Sequence, residues 1–289
     1  MSAPVKRSDR LQPLSPEREE SPLAELLAER AQRSKTRGDT LIVGLCGAQG
    51  SGKSTLAAAL QSQLSDRGFK VAQLSLDDVY LPLHAREALS RTVHPLFKTR
   101  GVPGTHDVAL ATRVLEDLRG TGVVALPQFD KASDDRRPAE QWPHVQAPVD
   151  IVIFEGWCVG AMPEAEAALR APINELERDE DAASIWRRYS NDALANEYRA
   201  LFAKLDLLVL LAAPSFEVVY RWRLEQETQL RRTVAAQGRD ASRLMTDAQL
   251  RRFIDHYERL TRHILREMPA RADIVVRLDA MRHKTIEKS

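Results

Sequence analysis

Apolar and polar residues follow one another along this chain in blocks that predict strands separated by helices. Apolar runs of strand length occur at 40–46, 70–76, 122–126, 149–154, 205–211 and 272–278. Between them, apolar residues recur every three to four positions at 21–37, 53–67, 107–119, 163–204, 246–268 and from 215 onward. The region 163–204 is predicted to form two helical segments, joined at the charged stretch 177–181. The order of strand, helix and strand predicts parallel strands joined by right-handed crossovers.

These elements predict an α/β fold with three layers, a parallel sheet of about five strands with helices on both faces. Residues 1–20 are rich in Pro, Ser and charge and show no period, so they are predicted to form a disordered tail. Residues 21–289 are predicted to form a single domain. The residues after Leu278 are predicted to be frayed.

The segment 81–106 is predicted to be a long loop, because prolines and glycines interrupt it at several positions. Loops of that length in a compact domain are usually functional. Four residues of this segment form a set that could face an anionic substrate, namely His94, Lys98, Arg100 and His106. Asp107 follows as the predicted N-cap of a helix.

Composition narrows the class of protein. Hydrophobic residues make up 43% and charged residues 29%, with 42 Lys and Arg against 41 Asp and Glu. The net charge of +1 creates no overall field that would favour nucleic acid. The longest apolar run, Leu207 to Ala213, is too short for a membrane helix. Two cysteines and the lack of a signal peptide pattern predict a cytoplasmic protein without a disulfide framework.

A phosphate-binding loop lies between the first strand and the helix that follows it. The spacing G-x-x-x-x-G-K-[ST] is met by Gly47, Gly52, Lys53 and Ser54. We expect positive φ at Gly47, Gly50 and Gly52, which would turn backbone N–H groups toward phosphate. Lys53 would reach the terminal phosphates and Ser54 would bind Mg²⁺. The predicted nucleotide site comprises Gly47, Ala48, Gln49, Gly50, Ser51, Gly52, Lys53, Ser54 and Thr55.

Acidic residues follow two of the other predicted strands. Asp77 and Asp78 end the second strand, and Glu155 ends the strand at 149–154. Ligands of open α/β sheets lie beyond the carboxyl ends of the strands, so these acids are predicted at the catalytic edge. Glu155 is predicted to orient Mg²⁺, and Gly156 to let the chain pass close to the nucleotide. Farther along, the helix after Ser215 carries Arg221 and Arg223 among acidic residues, which favours a phosphate-closing lid over a nucleic-acid face.

Together these motifs resemble the P-loop kinase branch that contains phosphoribulokinase, uridine kinase and pantothenate kinase, and within it the D-glycerate 3-kinases and their relatives. The resemblance covers about 41–278 and rests on motifs in the expected order. Its segments are 47–54, 75–80, 100–107, 127–131, 154–157 and 220–224. It implies a nucleoside-kinase-like P-loop NTPase fold, ATP and Mg²⁺ as cofactors, and transfer of phosphate to a hydroxyl of a small, anionic acceptor.

The resemblance also implies roles for individual residues. Asp77, three positions before Tyr80, would take the acceptor proton, with Asp78 as the alternative base. Lys53, Glu155 and an Arg from Arg221 or Arg223 would complete the catalytic set. Ser54, Asp77 and Glu155 would serve the metal. The predicted substrate residues are Tyr80, Arg100, His106, Asp107 and Lys131, of which Arg100, His106 and Lys131 would anchor a carboxylate such as that of D-glycerate.

Two alternatives stay open. One is the same chemistry on another acceptor, a nucleoside, pantothenate or another sugar acid, because residues 132–138 depart from the Gly- and Arg-rich pattern of plant-type glycerate kinases. The other is a regulatory P-loop NTPase or a nucleotide-gated interaction protein. A guanine-reading N-K-x-D would favour the latter, but the nearest string, at 203–206, lacks the Asn.

Overall fold

The structure, a computed structural model, describes residues 21–236 and 245–288. The tail predicted at 1–20 lies outside the described residues. The α-helices in the described ranges are α1 (Pro22–Thr36), α2 (Lys53–Asp66), α3 (Leu83–Thr92), α4 (Val108–Arg119), α5 (Glu175–Glu180), α6 (Ile185–Ala193), α7 (Arg199–Phe202), α8 (Phe216–Ala236) and α9 (Asp247–Glu267). The strands are β1 (Leu41–Gly47), β2 (Val71–Ser75), β3 (Gly122–Ala125), β4 (Phe129–Asp130), β5 (Asp135–Arg136), β6 (His144–Ala147), β7 (Ile151–Gly156), β8 (Leu207–Ala212), β9 (Ile274–Leu278) and β10 (Lys284–Lys288).

The central sheet has six strands in the order β10, β9, β8, β1, β7, β2. All neighbours pair in parallel except β10, which is antiparallel to β9. Every residue of β1, β7 and β8 is buried, since these strands lie in the middle of the sheet with helices on both faces. The prediction of a three-layer α/β fold with a parallel sheet of about five strands is confirmed, and an antiparallel edge strand is added to it.

Each face of the sheet has its own apolar core. On one face, residues of β1 and β7 such as Ile42 and Phe154 pack with Leu115 of α4. On the other, Val43 and Ile153 pack with residues of α1, α2 and α8, including Leu60 of α2. The alternation of neighbouring strand residues between the two cores follows from the period of two along a strand.

The prediction of an irregular segment at 81–106 is wrong. Helix α3 (Leu83–Thr92) and a 3-10 turn (Pro95–Lys98) occupy much of it. Pro82 takes the N-cap position of α3, and Pro95 stands at the start of the 3-10 turn. Proline is tolerated in the first turn of a helix, so these prolines flank the helix instead of breaking it.

Two other predictions about strands are corrected. Residues predicted as frayed after Leu278 include β10, whose Lys284 pairs with Leu278. The predicted strand near 122–126 does form, as β3, but it pairs with β6 in a separate antiparallel ribbon and does not join the central sheet. Local apolar pattern predicts a strand, whereas its partner is set by tertiary packing.

The helical region at 163–204 is broken at a different place from the one predicted. The charged stretch at 177–181, predicted as a joint, is largely helix α5. The break follows it, where Ser184 adopts φ 57° and the Asp181 carboxylate accepts hydrogen bonds from the backbone N–H groups of Trp186 and Arg187. In the part of the chain that the structure describes, no helix is both long and apolar enough to cross a bilayer.

Candidate active site

The neighbouring strands β1, β7 and β2 end at the same edge of the sheet. Their carboxyl ends carry the phosphate loop, Glu155 and the Asp77 segment, respectively. Leu45 of β1 stands opposite Glu155 of β7, which in turn stands opposite Ser75 of β2. The sheet therefore brings the three predicted motifs together.

Glycines shape the phosphate loop in two different ways. Gly50 and Gly52 have φ of 77° and 82°, as predicted, and Gly52 is the N-cap of α2. Gly47 is absent from the positive-φ residues, so that part of the prediction is wrong. A Cβ at Gly47 would lie 2.8 Å from Ser51 Oγ, so what Gly47 supplies is space.

The other residues of the loop differ in exposure. Ala48 is buried, and Gln49 reaches the central pocket described below. Ser51 is buried, and its Oγ has no hydrogen-bond partner within the described residues. Thr55 is exposed on the first turn of α2. A buried hydroxyl without a partner in a loop of this shape is suited to an anionic ligand.

Glu155 connects the loop to β7. Its Oε1 accepts a 2.9 Å hydrogen bond from Ser54 Oγ, and its Oε2 lies 3.8 Å from Lys53 Nζ. The residue is only 3% exposed, and Oε2 has no hydrogen-bond partner in the described part of the chain. Gly156 allows the chain to pack closely on the turn after β2, since a Cβ there would lie 2.7 Å from Leu76 Cβ, and its closeness to the nucleotide stays a prediction.

Asp77 lies in a 3-10 turn (Leu76–Val79) that continues β2. Its Oδ2 accepts a 2.7 Å hydrogen bond from Lys131 Nζ, and its Oδ1 accepts one of 2.8 Å from the Tyr80 hydroxyl. Burial raises the pKa of Asp77, but the charges of Lys131 and Lys53 and the two hydrogen bonds outweigh it and lower the pKa to about 2. Asp77 is therefore ionised at neutral pH.

Asp78 faces another part of the structure. Its Oδ1 accepts a 3.1 Å hydrogen bond from the backbone N–H of Phe129, which ties the turn to β4. Burial raises the pKa of Asp78 to about 6, although the Phe129 hydrogen bond opposes this change; the Asp77 charge raises it further. Unlike Asp77, Asp78 does not line the pocket.

Two of the predicted substrate residues lie behind the pocket. His106 is 3% exposed, and its Nδ1 lies 2.6 Å from the Tyr198 hydroxyl. Burial lowers the pKa of His106 to about 3, so it supplies no positive charge, and its ring stacks on Tyr80 at 4.5 Å. Asp107 caps α4 through the N–H of Leu110. The expectation that His106 anchors an anion directly is therefore wrong.

A pocket of about 330 Å³ lies between the phosphate loop and Asp77. Its lining comprises Gln49, Gly50, Lys53, Asp77, Tyr80, Arg100, Lys131, Arg223, Gln226, Phe253 and Tyr257. Among the four residues predicted as a cationic set in 94–106, only Arg100 lines it: His94 lies near Asp181, Lys98 near Glu87, and His106 is uncharged.

Of the two arginines predicted on α8, only Arg223 faces the pocket. Arg223 lines it, pairs with Glu227 at 3.3 Å and lies over the Phe253 ring. Arg221 is exposed and lines a different surface cavity with Glu225. Two positions on a helix separate side chains by more than half a turn, so only one of the pair can face the pocket.

Pocket residues that the sequence did not reveal come from α8 and α9. Gln226, Phe253 and Tyr257 line it, but Phe253 and Tyr257 share the apolar stripe by which α9 packs on the sheet. A residue of such a stripe is normally read as core. Whether such a residue also lines a cavity depends on how α9 packs against the phosphate loop and the segment around Arg100.

The comparisons with known proteins agree with this geometry. A model of the phosphoribulokinase / uridine kinase family matches residues 42–162. An uncharacterized kinase, mug58, of Schizosaccharomyces pombe is 35% identical over 237 residues, which are 78% of this chain and 81% of that protein. The chloroplastic D-glycerate 3-kinase of Arabidopsis thaliana is 29% identical over 228 residues, 75% of this chain but only 46% of that protein.

One solved structure is similar to this chain over nearly its whole length. The D-glycerate 3-kinase of Cryptococcus neoformans superposes with a TM-score of 0.75 at 26% identity, covering 93% of this chain and 100% of that one. The chain thus belongs to the phosphoribulokinase / uridine kinase family. It is an ATP-dependent kinase, and proteins named D-glycerate 3-kinase are among its relatives. The predicted P-loop kinase branch is confirmed, and the alternative of a regulatory NTPase is set aside.

Proposed function

We propose that this kinase transfers the γ-phosphate of ATP to a hydroxyl of D-glycerate. The observation that carries the proposal is an ionised carboxylate, Asp77, in a small pocket that it shares with the phosphate loop and with the cations Arg100 and Lys131. The relatives named D-glycerate 3-kinase support this choice of acceptor. A volume of about 330 Å³ suits a small acceptor together with the end of a triphosphate.

The phosphate loop and Lys53 hold the β- and γ-phosphates. Positive φ at Gly50 and Gly52 and the start of α2 direct N–H groups and the helix dipole at the anion. Lys53 is held near Glu155, from which it can extend to the transferring group. Its charge offsets the negative charge that develops there.

Mg²⁺ fits the oxygen atoms beside the loop. The Ser54 hydroxyl and the Glu155 carboxylate are hard ligands of the kind Mg²⁺ takes, and Glu155 Oε2 has no hydrogen-bond partner among the described residues. When bound, Mg²⁺ would neutralise phosphate charge. Asp77 fits the metal less well than predicted, since Lys131 and Tyr80 already engage both of its oxygens.

Asp77 takes the acceptor proton. As the acceptor oxygen forms its bond to the γ-phosphorus, the bond from that phosphorus to the β–γ bridging oxygen breaks, ADP leaves, and the hydroxyl proton passes to the Asp77 carboxylate. A pKa of about 2 makes Asp77 a weak base in the empty site, but one that is always ionised and held by Tyr80 and Lys131. Lys131 is 61% exposed, so its ammonium group, which has three donors, can contact the acceptor while it stays beside Asp77.

Arg100 and Lys131 hold the acceptor carboxylate. The Arg100 guanidinium lies over the Phe129 ring, 5.5 Å from its centroid, and pairs with Asp134. A planar guanidinium suits a bidentate contact with a carboxylate. On the other side of the pocket, Arg223 offsets charge on the transferring phosphate.

The acceptor is tested by ADP release from ATP and Mg²⁺ with D-glycerate, L-glycerate, uridine, pantothenate and ribulose 5-phosphate, each offered separately. The proposal predicts the highest kcat/KM with D-glycerate. L-glycerate is the matched control, because it differs only in the configuration at C2. A clear preference for uridine, pantothenate or the sugar phosphate would refute D-glycerate while leaving the kinase chemistry in place.

We also propose that the protein works in the reducing cytoplasm. Cys46 and Cys158 are free and buried, and burial raises the pKa of Cys46 to about 12. Such thiols are unreactive and serve packing.

A further inference from the structure

Tyr257 lines the active-site pocket together with residues from both of its halves, the phosphate loop and the proposed acceptor segment. It lies on α9, is 4% exposed and lines the pocket. Its hydroxyl donates a 3.1 Å hydrogen bond to the carbonyl oxygen of Arg100, and the side chain of Gln49 lines the same pocket. Gln49 belongs to the phosphate loop, and Arg100 is the proposed acceptor anchor. Tyr257 thus holds the segment for one substrate and shares its pocket with the loop for the other.

The contact is tight on the acceptor side. Gly101 has φ 137°, and a Cβ at this position would lie 2.0 Å from the Tyr257 hydroxyl. The carbonyl oxygen of Gly101 accepts a 2.8 Å hydrogen bond from Trp157 Nε1. Trp157 in turn packs edge-on against Tyr257 at 4.9 Å. Residues 100–101 therefore pack directly on Tyr257 and Trp157, and there is no room for a side chain at position 101.

Tyr257 is placed to position residues and not to react. Burial raises its pKa well above the ordinary value for tyrosine, so the phenol stays protonated and keeps donating to Arg100. The ring is held by Trp157 and, at 5.2 Å, by Phe253. Loss of the hydroxyl alone would leave this packing intact.

We propose that Tyr257 is a positioning residue that makes nucleotide binding and acceptor binding depend on each other. Phosphate in the loop orders Gln49, Gln49 fixes the Tyr257 hydroxyl, and the hydroxyl holds the Arg100 backbone so that its guanidinium faces the acceptor. By linkage, the acceptor strengthens nucleotide binding by the same factor. The proposal rests on the proposed function only in placing an acceptor at Arg100.

The first test is the kinetics of Tyr257→Phe in the full chain, with the acceptor that the panel identifies. In the wild type, we expect the acceptor KM to fall by about fivefold or more as ATP rises to saturation, the lower end of typical coupling between sites. In Tyr257→Phe, the acceptor KM should stay at its high value at every ATP concentration, with kcat within about threefold of wild type. Tyr220→Phe is the matched control: its ring packs against Arg251 outside the pocket, and it should behave like the wild type.

The second variant, Gln49→Ala, breaks the same link at its other end. It should lose the dependence of acceptor KM on ATP, and the double variant should be no worse in this respect than either single one, since both changes remove one connection. Additive losses would show that the two residues act separately and would overturn the proposal. So would a Tyr257→Phe enzyme whose acceptor KM still falls with ATP.

A measurement without acceptor separates this proposal from the proposed function. Amide hydrogen exchange is followed for 100–107 before and after adding Mg²⁺ and a non-hydrolysable ATP analogue. Nucleotide should slow exchange there in the wild type and in Tyr220→Phe, but not in Tyr257→Phe. If exchange at 100–107 is already faster in nucleotide-free Tyr257→Phe and nucleotide slows it as much as in the wild type, Tyr257 is merely structural and the coupling is refuted. This holds even if D-glycerate is not the acceptor.

Discussion

Replacing Asp77 with asparagine removes the proposed proton acceptor and leaves the shape of the side chain unchanged. The amide oxygen of the new side chain would still accept a hydrogen bond from the Tyr80 hydroxyl, now 2.8 Å from Oδ1. The ion pair with Lys131 is lost; the lowering of the Asp77 pKa from 3.8 to about 2 sets the cost at no more than about 2.5 kcal/mol of stability, and the 61% exposure of Lys131 reduces it further. The loss therefore falls on the chemical step. We expect kcat to fall by ~10²- to 10⁴-fold, the range for loss of a general base, with ATP affinity within about threefold.

The matched control is Asp78→Asn, at the adjacent position. The amide oxygen introduced there can still accept a hydrogen bond from the N–H of Phe129, which Oδ1 of the carboxylate accepts now. Because Asp78 does not line the pocket, kcat should stay within about threefold of wild type. Both variants are measured as ADP release at saturating ATP, Mg²⁺ and acceptor. The opposite ranking would make Asp78 the base, and two variants with near wild-type activity would refute a carboxylate base altogether.

The raised pKa of Asp78 also predicts how the stability of Asp78→Asn differs from that of the wild type. The folded pKa of Asp78, about 6, is raised above its usual 3.8, so its charged form is disfavoured in the folded protein. Asp78 therefore lowers the free energy of unfolding: the effect is absent below about pH 4, grows between pH 4 and 6 and is complete above that. Asp78→Asn should thus be more stable than wild type at pH 7.5, by at most about 3 kcal/mol, and equally stable near pH 4. Urea unfolding at both pH values measures this difference.

The pH dependence of the rate distinguishes the same two residues. With a pKa of about 2, Asp77 stays ionised from pH 5 to 8 and should produce no fall in kcat/KM on the acid side of that range. A base at Asp78 would produce one near pH 6. A fall near pH 6 that is present in the wild type and absent in Asp78→Asn would contradict the assignment of Asp77. A fall that both proteins share would belong to another group.

Three further substitutions and one control test the phosphate side of the site. Lys53→Ala should lower turnover by ~10³-fold or more with an unchanged melting temperature, and more than a tenth of wild-type turnover would show that this loop is not the catalytic phosphate site. Glu155→Gln keeps an oxygen that can accept from Ser54 but loses the charge, so the Mg²⁺ concentration for half-maximal rate should rise about tenfold or more; an unchanged Mg²⁺ requirement would exclude Glu155 from the metal site. Arg223→Gln should lower kcat about tenfold or more, while Arg221→Gln, outside the pocket, should stay within about twofold, and equal effects would argue against a role specific to Arg223.

The elements that sequence reasoning predicted are those whose signal is local. The apolar runs of β1, β7 and β8 are buried along their whole length, and the loop from Gly47 to Thr55 stands directly between a strand and a helix. Helix α3 is not predictable from its prolines, because Pro82 and Pro95 stand at the starts of α3 and of the 3-10 turn instead of breaking them. Strand β10 was missed because its exposed, charged residues become a strand only through pairing with β9.

The site was predictable as far as it depends on the ends of strands. Asp77 and Glu155 lie at one edge because parallel neighbours end there. Burial and side-chain direction were not predictable in the same way. His106 looked like a cation but is buried under Tyr80 and uncharged, and the position of Arg223 rather than Arg221 depends on the rotation of α8. Tyr257 looked like core, and its contact with Gly101 exists only in the folded chain.

The most direct test of the account follows the phosphate itself. ATP labelled with ³²P in the γ position is incubated with the enzyme, Mg²⁺ and D-glycerate, and the label is separated into ATP, inorganic phosphate and phosphorylated acceptor. The account predicts that label moves into D-glycerate in proportion to ADP formed, and that Asp77→Asn slows this transfer by ~10²-fold or more. Label that stays in ATP, or that appears only as inorganic phosphate, would contradict it.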